Sequence, residues 1–474
     1  LESVQCVFYF QALPAFDVLY EKEELPMSGF IVEGKCKLHG TILVTGNKNE
    51  ALPLIAASLL CPGPVTFSNV PDIGDVRTML SIAALLGADV SPLRDGKVTI
   101  DARKIATPEL PMKESNSIRA SILFASALLL RKGKAVIRQP GGDSIGRRRL
   151  DTHFTVFREL GAKLKIEHSV LSDGVTQETS FILSVPKGGL RGAAIHLDEA
   201  SVTATENALI AAAGARGATV ITNAASEPHV QGLCRFLEKC GVAIEGIGSN
   251  LLTVHGAKTF KSADYRVGGD YIEAGSFIGL AAATGSELTI RGVDTAHFRM
   301  IRYQFERIGV TVEIDASNGA LLVRKRQRLV VRSDLEGAIP RIEDSPWPGF
   351  PTDLLSILLV AATQSAGTCL IHEKMFESRL FFVDKLISMG ASIVLCDPHR
   401  AVVTGPSPLY GATISSPDIR AGMALLIAAL AAEGRSVIYN IEQIDRGYQQ
   451  IDTRLARLGA DIRRIVDRRK NFQA

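Results

Sequence analysis

The sequence predicts an α/β protein, a two-domain inside-out α/β barrel built from six copies of one unit, three per domain. Three observations carry this. A motif of an apolar residue, a glycine, Ala or Val, and then a β-rich run recurs as "LLGADV", "ELGAKL", "KCGVAI", "RIGVTV", "SMGASI" and "RLGADI". Its glycines are Gly87, Gly161, Gly241, Gly309, Gly390 and Gly459, about 70–80 residues apart, a longer period than the common solenoids. An Ala/Leu-rich helical stretch precedes each copy, and the 474 residues are 46% hydrophobic but only 6% aromatic. Such a chain has core enough for two or three domains of alternating helix and strand.

Each unit begins with the Ala/Leu-rich helix. The six are "NEALPLIAASLL", "IRASILFASALLL", "TATENALIAAA", "YIEAGSFIGLAAA", "DLLSILLVAAT" and "IRAGMALLIAALAA". They are apolar on nearly every side, which is the pattern of a helix buried all round. A glycine turn and a β-rich run follow in most copies, as in "GPVTFSNV", "GATVITN" and "GRSVIYN". A second, amphipathic helix then stops at the repeated glycine, a residue that favours the left-handed C-terminal position. Strands close the unit.

Three units fall before about residue 267 and three after. The expected domains are residues 48–267 and residues 27–47 with 268–474, leaving 1–26 as an N-terminal extension. Buried helices ringed by sheet make the barrel inside-out, and the crevice between the domains is the expected ligand site.

A net charge of +3 excludes a general polyanion binder such as a nucleic-acid protein, so any anion site must come from local clusters of cations. The seven cysteines, Cys6, Cys36, Cys61, Cys234, Cys240, Cys369 and Cys396, contain no Cys-x-x-Cys pair. They read as reduced thiols of a cytoplasmic protein without structural zinc. Apolar runs such as 421–432 are too short to span a bilayer. The opening "LESVQCVFYFQALPAFDVLY" lacks a basic start and a small-residue cleavage site, so it is a poor signal peptide. It reads as an extension without catalytic role, the alternative being a membrane-surface or partner-binding helix.

Charged residues stand at the mouths of the buried helices: Lys48 and Asn49 at the first, Arg119 at the second, Asp353 at the fifth, Arg420 at the sixth. A cation at a helix N-terminus opposes the helix dipole, unless several such helices converge on an anion. Each alone is equally well a solvated end residue; recurrence at equivalent positions favours the shared anion. Arg148, Arg379 in "MFESRL" and Arg446 in "IDRGYQQI" sit in loops, either in structural ion pairs or as forks for phosphate or carboxylate. The stretch "QPGGDSIGRRRLD", with Asp143 among glycines and arginines, reads as a loop bringing an acid and cations to a ligand.

The motifs "GNKNEALP", "SIRAS", "PGGDSIGRRRLDTH", "SVTATEN", "FPTDL", "FESR", "DIRAG" and "IDRGY" together resemble the enolpyruvyl transferase family over nearly all of residues 28–465. The resemblance is to its members that use UDP-N-acetylglucosamine. It implies two inside-out domains that close on substrate, no metal, no organic cofactor and no obligate protein partner. The implied reaction moves enolpyruvate from phosphoenolpyruvate to the sugar 3-hydroxyl and releases phosphate, for peptidoglycan synthesis. Lys48, Arg119, Arg148, Arg379, Arg420 and Arg446 are then expected around phosphoenolpyruvate, and Asn49 at the sugar nucleotide. Asp353 is the expected base at the hydroxyl, and Asp418 a holder of neighbouring cations. Arg148, Arg149, Leu150, Asp151, Thr152, Glu199, Ala200, Ser201, Val202 and Met375 are expected to line the UDP-sugar site.

The chain departs from the family pattern at four places. Asp143 stands where most members carry cysteine, Arg149 where proline is common, Thr203 where glycine is usual, and Tyr271 where arginine is frequent. The first implies that a carboxyl replaces a thiol as general acid, and with it resistance to fosfomycin. Arg149 and Thr203 leave open another hydroxyl acceptor, such as phosphoshikimate or a free nucleotide. A non-catalytic UDP-sugar-binding paralogue is the reading from a different class, and the joint presence of Lys48, Asp353, Arg379 and Arg446 argues against it.

Overall fold

The computed structural model describes residues 28–142, 146, 149–170 and 177–465. The N-terminal extension, Asp143 and Arg148 lie outside the described residues.

The six Ala/Leu-rich stretches fold as the helices Lys48–Ser58, Phe124–Lys132, Val202–Ala213, Tyr271–Thr284, Thr352–Ala362 and Ile419–Ala431. The second is entered through a 3-10 turn, Arg119–Leu123. Every residue of Tyr271–Thr284 is buried, as its lack of a polar face requires. This helix packs on both Thr352–Ala362 and Ile419–Ala431. Its approach to the former needs glycine: a Cβ on Gly275 would fall 2.5 Å from Leu354 Cδ1.

The amphipathic helices Gly74–Leu85, Asp151–Glu159, Pro228–Lys239, Phe298–Arg307, Val383–Ser388 and Ile451–Arg457 cover the sheets. Each is followed by its repeated glycine, and all six glycines have positive φ, between 85° and 107°. A side chain there would strain the backbone, so the repeat records one turn geometry used six times.

Among the described residues each unit owns one sheet, six in all. In the third, Ala218–Thr222 lies between parallel Ala194–His196 and antiparallel Leu251–His255, with Ala243–Glu245 at the edge. Two chain crossings complete other units. Gly29–Glu33 joins the sixth sheet and His39–Leu43 the fourth, while Tyr265–Arg266 joins the first.

Two separate hydrophobic cores result. One gathers residues from Ala51 to Val267, the other residues from Phe30 to Val44 and from Tyr271 to Ile462. The crossings run side by side: Asn47 N–H donates to Gly268 O at 2.7 Å and Asp270 N–H to Thr45 O at 2.9 Å. Among the described residues no helix is long and apolar enough to cross a membrane.

Candidate active site

A cavity of about 500 Å³ opens between the two cores, where the N-terminal ends of buried helices from both sides meet. Lys48, Asn49, Arg119, Asp353, Arg379, Arg420 and Arg446 all line it. The sequence pattern therefore brings together every described cation expected at phosphoenolpyruvate.

The cations are held by two carboxylates. Asp353, in the first turn of Thr352–Ala362, accepts from Arg379 Nη2 at 2.6 Å and from Arg420 Nε at 2.9 Å. Burial works to raise the Asp353 pKa, but Arg420, then Arg379 and Lys48, overcome it and hold the carboxyl far below the usual range. Arg420 is steadied further by Tyr448, whose hydroxyl lies 3.2 Å from Nη1 and whose ring lies under the guanidinium.

Asp75 is the second carboxylate. It takes Lys48 Nζ at 2.8 Å and Arg446 Nε at 2.9 Å. Burial again opposes its charge, and Lys48 and Arg446 outweigh it to lower the pKa. The sequence reading missed this residue. The acid in "PDIGDVR" looks like an ordinary first-turn acid of the Gly74–Leu85 helix, where the dipole favours one anyway.

Arg149, Glu199, Ala200, Ser201, Val202 and Met375 line the cavity. Leu150, Asp151 and Thr152 do not, because the helix beginning at Asp151 turns them away. Leu150 enters the core, Asp151 pairs with Arg149 Nε at 3.0 Å, and Thr152 donates to Asp198 at 2.7 Å. Asp418 caps the Ile419–Ala431 helix by accepting from Arg420 N and Ala421 N. Its charge, after that of Asp353, supports the cationic form of Arg379.

Gly142 lines the cavity and Gly146 abuts Glu377 of the other core, where a Cβ would fall 2.2 Å from Oε2. The segment carrying Asp143 thus starts at the cavity wall. Further unforeseen lining residues are Glu206, Glu227, His229 and Trp347. Trp347 joins the cores, its carbonyl accepting from Ser226 Oγ at 3.0 Å and its ring meeting Tyr271 edge-on. Burial pushes the His229 pKa down to about 4, so the ring is neutral at physiological pH.

A deep site lined by buried cations and two ionised carboxylates, between two repeat-built cores, defines an anion-handling transferase. A family model described as EPSP synthase (3-phosphoshikimate 1-carboxyvinyltransferase) matches residues 32–455. A UDP-N-acetylglucosamine 1-carboxyvinyltransferase from Treponema denticola is 50% identical over 436 residues, 92% of this chain and 99% of its own. Its counterpart from Borrelia garinii is 50% identical over 440 residues, 93% of this chain and 99% of its own. The crystal structure of the enolpyruvyl transferase NikO from Streptomyces tendae superposes with a TM-score of 0.78 over 93% of this chain and 99% of that one. At 24% identity this likeness speaks to the fold. The chain belongs to the EPSP synthase family of 1-carboxyvinyltransferases, in the branch of the UDP-N-acetylglucosamine 1-carboxyvinyltransferases.

Proposed function

We propose that this protein transfers the enolpyruvyl group of phosphoenolpyruvate to the 3-hydroxyl of UDP-N-acetylglucosamine, releasing phosphate, as a step of peptidoglycan precursor synthesis. The observation that carries it is the convergence of Lys48, Arg119, Arg379, Arg420 and Arg446 with Asp353 in one cavity, in a chain half identical to enzymes of that name.

Phosphoenolpyruvate carries up to three negative charges, and the cations neutralise its carboxylate and phosphate as charge redistributes. The sugar hydroxyl oxygen forms a bond to C2 while Asp353 takes its proton and C3 gains a proton from Asp143. The tetrahedral adduct then loses phosphate from C2 and a proton from C3, leaving an enol ether. Asp353 is a weak base while Arg379 and Arg420 hold it. Phosphoenolpyruvate competes for both guanidiniums, so its binding raises the basicity of Asp353 when a proton must be taken. Asn49, Arg149, Glu199 to Val202 and Met375 form the acceptor wall, with residues 48–267 and residues 27–47 with 268–474 acting as two domains that close on it.

The test is phosphate release from phosphoenolpyruvate with UDP-N-acetylglucosamine, phosphoshikimate or a free nucleotide as acceptor. Release with the UDP-sugar alone is expected. Release with another acceptor only, or with none, overturns the reading in favour of a different acceptor or a non-catalytic binder.

A further inference from the structure

Two buried carboxyls stand side by side behind the cavity wall. The parallel strands Arg341–Glu343 and Gly367–His372 pair Ile342 with Ile371 and Glu343 with His372. The next residues in that register are Asp344 and Glu373. Strand alternation turns them inward with Ile342 and Ile371, and all four are 0% exposed. On the opposite face Glu343 meets His372 at 3.8 Å and Lys374 at 3.4 Å.

The two carboxyls share one proton. Glu373 Oε1 accepts from the Met375 and Phe376 N–H groups, both at 3.1 Å, and Thr352 Oγ1 reaches the two Glu373 oxygens at 3.1 and 3.0 Å. Asp344 Oδ1 accepts from Lys374 N–H at 2.6 Å, while Asp344 Oδ2 is buried and takes no donor among the described residues. Neighbouring carboxyls out of water cannot both ionise. A proton on Glu373 Oε2, the oxygen no backbone N–H occupies, is the donor that Asp344 Oδ2 lacks. Burial, and then Asp344, push the Glu373 pKa up to about 9, against Arg379 and Thr352. His399 meets the Glu373 backbone carbonyl instead, at 2.7 Å. What the pair holds belongs to the site: Met375 and Phe376 line the cavity, the Phe376 ring lies under the Arg379 guanidinium, and Thr352 precedes Asp353. A second ionisation would set two negative charges against each other at the base of the turn that carries Arg379.

We propose that Glu373 is a positioning residue. Sharing one proton with Asp344, it fixes the 374–379 turn and the start of the Thr352–Ala362 helix, and so holds Arg379 and Asp353 in place for the anionic substrate. This rests on the enolpyruvyl-transfer reading of the site.

The experiment follows kcat/KM for phosphoenolpyruvate from neutral to alkaline pH, and urea unfolding, which needs no substrate, over a range that starts in mild acid. In the unaltered protein kcat/KM should fall as pH rises through about 9. Glu373→Gln accepts from the turn and donates to Asp344 without a titrating proton. It should stay within about threefold of the unaltered protein at neutral pH and lose the alkaline fall. Asp344→Asn should lose that fall too, because a carboxylate facing an amide meets no like charge. Glu373→Leu removes the acceptor and should raise KM for phosphoenolpyruvate about tenfold, the scale of a hydrogen bond to a charged group. A carboxyl raised on folding contributes stability that is complete below pH 4.5 and is lost as pH rises through 9, so stability should depend less on pH in Glu373→Gln. The same alkaline fall in Glu373→Gln, or an unchanged KM in Glu373→Leu, overturns the proposal while the function stands. If the unaltered protein releases no phosphate with any acceptor, the function falls and unfolding decides the pair: parallel stability–pH curves overturn the shared proton, and a flatter Glu373→Gln curve upholds it.

Discussion

Asp75 Oδ1 lies 2.9 Å from Arg446 Nε, and this ion pair ties the two cores together across the cavity. The other oxygen of Asp75 holds Lys48 at 2.8 Å, so one carboxylate stands between two cations of the proposed phosphoenolpyruvate site. Without it Lys48 and Arg446 would repel each other in a poorly solvated space. Asp75 keeps the charge cluster assembled before substrate arrives.

Asp75→Asn keeps the shape and removes the negative charge that Lys48 and Arg446 share. Asp75 is 4% exposed, and removing one partner of such a buried pair costs about 3–5 kcal/mol. Urea unfolding should show that loss. Phosphoenolpyruvate should restore part of it, because the ligand brings the missing negative charge and binds only the folded state. Equal unfolding midpoints for the two proteins would show that the pair contributes nothing.

Asp353 stands in the same relation to Arg379 and Arg420, but it faces the acceptor hydroxyl in the proposed reaction. Asp353→Asn can still accept a hydrogen bond and cannot take a proton. Turnover should fall about 10²–10⁴-fold, the usual range for a lost general base, while phosphoenolpyruvate binding persists. Single-turnover kinetics separate binding from chemistry, and turnover near that of the unaltered protein would remove Asp353 from the mechanism.

The repeat was legible because the six glycines obey a backbone rule: each sits at positive φ after a helix. Lys48, Arg119 and Arg420 were legible because a cation at the mouth of a buried helix opposes the dipole unless an anion meets it, and Asp353 because it stands at the equivalent position of the fifth copy within a family motif. Asp75 was hidden because a first-turn acid has an ordinary explanation. That Leu150 and Thr152 lie off the cavity wall depends on the helix starting at Asp151, which a glycine- and arginine-rich segment does not announce. Glu206 could have been found, since an acid amid the alanines of a buried helix needs a reason. The Tyr265–Arg266 strand is two residues long and carries no period to read.

The crossing between the cores carries a pH dependence. Glu50 Oε2 accepts from Gly268 N–H at 3.0 Å. Burial raises the Glu50 pKa to about 7, against lowering by that hydrogen bond and by Tyr265 and Arg235. A carboxyl raised on folding makes the folded state bind more protons than the unfolded one. Its contribution is complete below pH 4.5 and is lost as pH rises through 7, by about 3 kcal/mol in all. Glu206 and Glu227 act in the same direction. Glu50→Gln is neutral at every pH and should flatten the fall in stability between pH 5 and 8. Parallel stability–pH curves for the two proteins would show that Glu50 does not hold its proton.

In the proposed reaction Asp143 serves the vinyl carbon. It follows Gly142, which lines the cavity, although Asp143 itself lies outside the described residues. The family resemblance puts a cysteine at this position, and the step needs a proton donor rather than a sulfur nucleophile. A free aspartate has a pKa of about 3.9 and is ionised at neutral pH. The cations of the site favour that charge, while exclusion of water and the negative charge of bound phosphoenolpyruvate oppose it. Asp143 is therefore expected to hold its proton only with substrate bound. Fosfomycin alkylates the family's thiolate, and a carboxylate is a far weaker nucleophile toward an epoxide. The unaltered protein should keep full activity after prolonged incubation with fosfomycin. Asp143→Cys should retain turnover and be inactivated in a time-dependent way, and Asp143→Ala should lose turnover about 10²–10⁴-fold. Covalent fosfomycin on Asp143, or on any of the seven cysteines with loss of activity, detected by mass spectrometry, would show that the carboxyl does not confer resistance.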